Sequence, residues 1–275
     1  MKRYLKIAAL VTAVLMALSC FAGCGDKKDN ENSGSQTSST AKQKLIVGTN
    51  AEFSPFEYIE NDKFVGIDMD IMRAIADKLD MEIEIKNMDF EALPNALDIQ
   101  TISCIAAGLT ANPDRAESMD FSDTYYNASQ SIIVPADSTI ATKEDLKGKS
   151  VGGQTGTTGL TVAAEICGEQ NVRGYNNAML AVQDLVNGNL DAVVIDNAPA
   201  KVLANKYSTT KLIDGQFDAE EYVLAVKKGD SELLGKINGA LKELMASGKV
   251  DEIISNYIDD QGADQSADAD VAPEK

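Results

Sequence analysis

The chain has 275 residues, 25% of them charged and 44% hydrophobic, an ordinary globular composition with length for about two domains. Asp and Glu total 43 against 25 Lys and Arg, and the net charge of -18 repels phosphate backbones and anionic headgroups, so nucleic-acid binding is disfavoured. There is no histidine, which removes Ser-His-Asp and Cys-His nucleophile activation and the common His-based zinc sites. A purely carboxylate-based enzyme stays open, and no metal or cofactor is expected.

The first residues read as a targeting segment. Lys2, Arg3 and Lys6 form a basic n-region, and Ile7 to Leu18 is apolar apart from Thr12. That run is short for a bilayer span and is followed by small residues, the pattern of a cleaved signal. Phe21-Ala22-Gly23-Cys24 resembles a bacterial lipobox with Phe21 in place of the usual Leu. Residues 1–23 are thus expected to be a lipoprotein signal peptide, with Cys24 lipidated and the protein anchored outside the cytoplasm; Cys20, after Leu18-Ser19, is the alternative. Residues 24–42, rich in Ser, Thr, Asn and Asp, cannot bury enough apolar surface to order themselves and are expected to be a flexible tether. Residues 259–275 read as an acidic, frayed tail.

The body between them alternates strand and helix patterns. Lys44 to Gly48 reads as a buried strand. Asp68 is expected to cap a helix whose Ile71, Ile75 and Leu79 fall on one face. Met81, Ile83 and Ile85 alternate with charges, which is strand periodicity. Cys104 to Ala107 is a short apolar strand, Ser150 to Gly152 starts another, and a helix is expected from Thr157 to Ile166. Ala178 to Val186 reads as a helix stopped by Gly188, and Leu190 to Ile195 as a buried strand ending at Asp196. Two last helices are marked by Leu233, Leu234, Ile237, Leu241 and Leu244, and by Ile253, Ile254 and Tyr257. Such alternation implies an α/β fold with largely parallel sheets. Cys104 and Cys167 read as small buried hydrophobes, not as a disulfide.

In open α/β sheets ligands bind beyond the carboxyl ends of strands. Four such ends carry chemistry suited to a zwitterion. Arg115 offers a planar guanidinium for a carboxylate, and Thr110 adds a hydroxyl. A helix starting near Thr157 offers free N–H groups to the same anion. Asp196 can accept from an ammonium, and Phe53 and Phe90 can form apolar walls. The glycines fit neither dinucleotide nor phosphate-loop spacing.

The order of these segments resembles the polar-amino-acid substrate-binding proteins of ABC transporters, which have a type II periplasmic-binding fold. The carrying stretches are Val47 to Tyr58, Gly66 to Ile71, Ala107 to Thr110 with Arg115, Asp120 to Asp123 with Tyr125-Tyr126, and Asp191 to Asp196. The resemblance implies two lobes joined by two hinge strands: lobe 1 from residues 43–128 and 221–258, lobe 2 from 129–220. It implies that Arg115, Thr110 and the region of Thr157 and Thr158 clamp an α-carboxylate, and that Asp196 and the Gly108 carbonyl hold an α-ammonium. Phe53 would stack on the ligand, and Asn50, Phe90 and Gln154 would tune selectivity. The implied partners are a free amino acid, an ABC permease and its ATPase; Asn50 points to a neutral polar ligand, with a basic one open through Glu52 or Asp89. Two departures stand out: Ser103 takes the place of the family's usual Asp, and Tyr257 or a neighbour that of its C-terminal Trp. A dehydratase-like enzyme, with Glu52, Glu57 or Asp89 as acid or base, and a sensory module are the competing functions; the chain's end soon after its last helix speaks against a receptor kinase.

Overall fold

The computed structural model describes residues 42–258. The signal segment, Cys24 with nearly all of the tether, and the acidic tail lie outside the described residues. Strand β1 (Lys44–Thr49) opens the body. Its side chains alternate: Leu45 and Val47 enter one apolar cluster, Ile46 the cluster on the opposite face. A sheet covered on both faces has this near-continuous apolar run. A small antiparallel sheet follows, β2 (Glu52–Phe53), β3 (Glu57–Glu60) and β4 (Lys63–Val65).

Helix α1 (Ile67–Lys78) buries Ile71, Met72 and Ile75 in the same apolar cluster as Leu45 and Val47 and starts after Gly66, whose φ of 119° no side chain tolerates well. Asp68 is therefore not the cap expected from sequence. It sits inside the first turn, fully buried, and accepts hydrogen bonds from the Gly108 N–H at 2.9 Å and the Tyr125 hydroxyl at 2.7 Å. A tertiary task has displaced the local one.

β5 (Glu82–Asn87), α2 (Leu93–Asp98), β6 (Cys104–Ile105), α3 (Pro113–Ala116) and β7 (Met119–Phe121) complete the first run. In place of the family's Asp, the Ser103 hydroxyl accepts from the Ile46 N–H at 3.2 Å, after a turn in which Gln100 has a φ of 58°. The long strand β8 (Tyr126–Pro135) then carries the chain into a second sheet. There follow β9 (Val151–Gln154), α4 (Thr158–Cys167), β10 (Val172–Tyr175), α5 (Ala178–Val186), β11 (Ala192–Asp196), α6 (Asn197–Lys206) and β12 (Thr210–Ile213). α4 and α5 begin where their caps dictate: the side chains of Thr157 and Asn177 accept from the N–H groups of Leu160 and Leu180. β13 (Ala219–Tyr222) leads back to β14 (Ala225–Lys227), and α7 (Ser231–Ala246) and α8 (Lys249–Tyr257) end the body.

The first sheet has the order β5-β1-β6-β14-β7, the second β10-β9-β11-β8-β12 with β13 paired to β8. In each sheet three neighbouring strands pair parallel, and the strand by which the chain enters from the other half, β14 in the first and β8 in the second, pairs antiparallel with both its neighbours in that order. Two antiparallel segments connect the halves: Tyr126 to Ser129 pairs with Ala219 to Tyr222. Core residues repeat the two-faced pattern in the second sheet, where Val193 and Ile195 face one cluster and Ala192 and Val194 another. Cys104 and Cys167 are both buried free thiols. In place of a C-terminal Trp, the Tyr257 hydroxyl donates to Asp70 at 2.7 Å, tying α8 to α1. Among the described residues no helix is long and apolar enough to cross a membrane.

Candidate functional site: a pocket between the two halves

The carboxyl ends of β1 and β6 face those of β9 and β11 across one small, tightly closed pocket. Its wall includes all ten side chains and segments singled out from sequence: Asn50, Phe53, Phe90, Gly108, Thr110, Arg115, Gln154, Thr157, Thr158 and Asp196. Glu57 and Ala107 complete it.

Arg115 is positioned by α3. Asn112 caps that turn by accepting from the Arg115 N–H at 2.8 Å, and Pro113 at its start fixes the backbone. The guanidinium donates to the Thr110 carbonyl at 2.6 Å and, across the pocket, to the Gly156 carbonyl at 3.0 Å. It lies 5.4 Å from the centre of the Phe90 ring, within cation–π range. Burial pulls its pKa down, while the charges of Glu220 and Asp196 oppose that.

Asp196 ends β11 and is buried, and its Oδ1 has no hydrogen-bond partner. Its pKa is pushed up to about 7, first by burial and then by the negative charge of Glu220. A buried carboxylate in this condition is an acceptor lacking a cation. Glu57 is more deeply placed still: both its oxygens are unpartnered, and burial, then Asp68 and Asp196, hold its carboxyl well above the usual carboxylate range.

Gly108 closes the floor. Its φ is +53°, and a Cβ there would stand 2.8 Å from the Phe53 ring and 3.2 Å from Tyr222, so only glycine fits. Phe53 is fixed by the Phe56 ring 6.0 Å away. At the far end two amides meet: Gln154 donates to Asn50 Oδ1 at 2.8 Å and to the Asn176 carbonyl at 3.0 Å, and Asn50 donates to the Met88 carbonyl at 2.9 Å.

The two threonines of α4 differ in role. The Thr157 hydroxyl is spent locally, donating to the Gln154 carbonyl and accepting from Leu160. The Thr158 hydroxyl donates to Glu220 Oε2 at 2.7 Å, and so does the Thr110 hydroxyl at 2.6 Å. Sequence reasoning passed over Glu220, which lies on a short polar strand that carries no recognisable motif. Glu57 was visible in the Phe56-Glu57-Tyr58 stretch, but only as an acid–base candidate. Of the other two acid–base candidates, Glu52 is exposed and accepts from Asn177 at 2.9 Å, and Asp89 is exposed.

Two α/β halves, joined by paired strands and enclosing a pocket with one guanidinium and two buried carboxylates, Glu57 and Asp196, that have oxygens without a hydrogen bond, define a two-lobed ligand-binding protein of the type II periplasmic-binding fold. The chain belongs to the bacterial extracellular solute-binding proteins, family 3, whose pattern matches residues 45–260. The family and its relatives carry the names of substrate-binding proteins. Among its relatives is the arginine-binding extracellular protein ArtP of Bacillus subtilis, 34% identical over 94% of this chain and 98% of that one. Among solved structures, an ancestral arginine-binding protein bound to arginine is 40% identical, with a TM-score of 0.75 over 79% of this chain and 99% of its own. The structure of an ancestral arginine-binding protein bound to glutamine is 39% identical, also with a TM-score of 0.75, over 79% of this chain and 98% of its own.

Proposed function

We propose that the chain is the extracytoplasmic substrate-binding protein of an amino-acid ABC importer. It traps a free L-amino acid between lobe 1 (43–128 and 221–258) and lobe 2 (129–220) and delivers it to a permease. One observation carries the reading: Arg115 from the first half and Asp196, whose Oδ1 has no hydrogen-bond partner, from the second line the same pocket. A zwitterion satisfies both at once, whereas a simple acid or amine satisfies one. Phe53 and Phe90 wall the apolar part, and the α4 N-terminus at Thr157 and Thr158 adds dipolar attraction for the carboxylate.

A neutral polar side chain is favoured by the Asn50–Gln154 pair, two amides able to exchange hydrogen bonds with a third. The buried Glu57 in the pocket wall favours a basic side chain, as do relatives named for arginine. Isothermal titration against the twenty L-amino acids tests the proposal. The expected result is one ligand per chain, with glutamine or asparagine bound more tightly than arginine. Preference for arginine would retain amino-acid capture and reverse the side-chain reading; no binding to any of the twenty would remove the function.

The same role entails an anchor. Lipidation at Cys24 would hold the protein at the outer face of the membrane without a spanning helix. Mass spectrometry of the native N-terminus should find a diacylglyceryl group on Cys24; an unmodified N-terminus, or the lipid on Cys20, would contradict it. Catalysis is not part of the proposed role, since of the three acid–base candidates only Glu57 reaches the pocket.

A further inference from the structure

We propose that Glu220 is a positioning residue that limits how tightly the pocket holds a carboxylate, by competing for the two threonine hydroxyls of the clamp. The inference rests on the reading of this pocket as an amino-acid site. Glu220 lies on β13, one of the two strands that join the halves. Its Oε2 accepts from Thr110 at 2.6 Å and from Thr158 at 2.7 Å, and its Oε1 accepts from Gln130 Nε2 at 3.1 Å. Thr110 follows β6 of the first sheet, and Thr158 opens α4 above the second. One carboxylate thus spans the halves where a ligand carboxylate would also have to span them.

A hydroxyl has one proton, and a threonine donating to Glu220 cannot donate to a ligand at the same time. Both bonds are short and charge-assisted, so they are not given up freely. A carboxylate arriving beside Arg115 must draw those protons away from Glu220 or bind without them. The charge of Glu220 also reaches Arg115 and Asp196. It therefore opposes the anionic end of a zwitterion while leaving the ammonium end attracted.

Glu220→Gln keeps the side-chain length and removes the charge, and its single amide oxygen can take the place of only one of the two carboxylate oxygens. Affinity for L-glutamine and L-arginine, measured by isothermal titration on the full chain, should then rise roughly fivefold, the difference between a charge-assisted and a neutral competitor. Glu220→Asp, with its carboxylate withdrawn by one methylene, should raise affinity as well and serves if the glutamine variant folds poorly. Thr158→Val should cost more affinity in the Glu220→Gln background than in wild type, because only there is the hydroxyl free to serve the ligand. A residue that merely supports the fold would not give a gain of affinity or this coupling. Unchanged or weaker binding by both Glu220 variants would overturn the proposal and leave amino-acid capture standing. If wild type bound none of the twenty amino acids, both readings would fall together.

Discussion

Replacing Asp196 by Asn should weaken ligand binding and, at neutral to alkaline pH, stabilise the protein alone. Asp196 has an ordinary pKa of 3.8 and is pushed up to about 7 in the fold, chiefly by burial. The folded chain therefore keeps a proton between those values that the unfolded chain has released. Stability from this group is full below the unfolded value, falls as pH rises towards 7 and is constant above it. The whole displacement corresponds to about 4 kcal/mol. Asn leaves a buried polar group in place and recovers only part of it, about 1–3 kcal/mol. At pH 8 that is a rise of about 2–12 °C in Tm by thermal denaturation, given about 2–4 °C per kcal/mol for a chain of this size. At pH 4 the gain should vanish, because wild-type Asp196 is then protonated in both the folded state and much of the unfolded one. Calorimetric titration of the amino acid at pH 8 should show a loss of about 2–5 kcal/mol, since the ammonium loses its charged acceptor. In wild type, affinity should fall as pH drops below about 7, and binding near that pH should release a proton to the buffer. If Asp196→Asn proved no more stable at pH 8 and bound its ligand like wild type, the assignment of a buried, cation-seeking carboxylate would be refuted.

Arg115→Ala should cost about 2–5 kcal/mol of binding, because a buried carboxylate loses its charged partner; titration within twofold of wild type would contradict the clamp. Gly108→Ala should destabilise by about 1–3 kcal/mol or more, since the new methyl meets the Phe53 ring in a left-handed backbone. Chemical denaturation reads that loss, and a variant as stable as wild type would show that Phe53 yields. A change at exposed Lys228, which pairs with Asp120 on the surface, should alter neither affinity nor closure; an effect on titration there would show that the site reaches further than the pocket wall.

Much of this architecture was legible from local patterns. The bounds of α5 coincide with Ala178 to Val186 because a cap, an apolar face and a stopping glycine all agree there. The first strand was legible from its continuous apolar run, and the site segments from the rule that ligands gather at strand ends. Asp68 was misread because a cap pattern is local, whereas its carboxylate serves Gly108 and Tyr125, 40 and 57 residues away. Glu220 was invisible for a stronger reason. Ala219-Glu220-Glu221-Tyr222 falls where one of the two chain crossings is expected, and only the bridge of Tyr222 to Thr110 brings Glu220 to a residue 110 positions earlier. Thr157 and Thr158 could not be told apart by type; the helix start decides which hydroxyl is spent on the cap.

The central claim is that capture works by bringing two lobes together. Arg115 and Thr110 belong to one half and Thr158 and Asp196 to the other, so an amino acid makes its full set of contacts only when they meet. That difference in contact energy is what shifts an open–closed equilibrium. Small-angle scattering from the protein with and without a saturating concentration of its tightest amino acid tests this directly. The account predicts a smaller radius of gyration with ligand, and a lost contraction in Asp196→Asn at the same ligand concentration. An unchanged radius of gyration, with calorimetry confirming saturation, would contradict capture by closure.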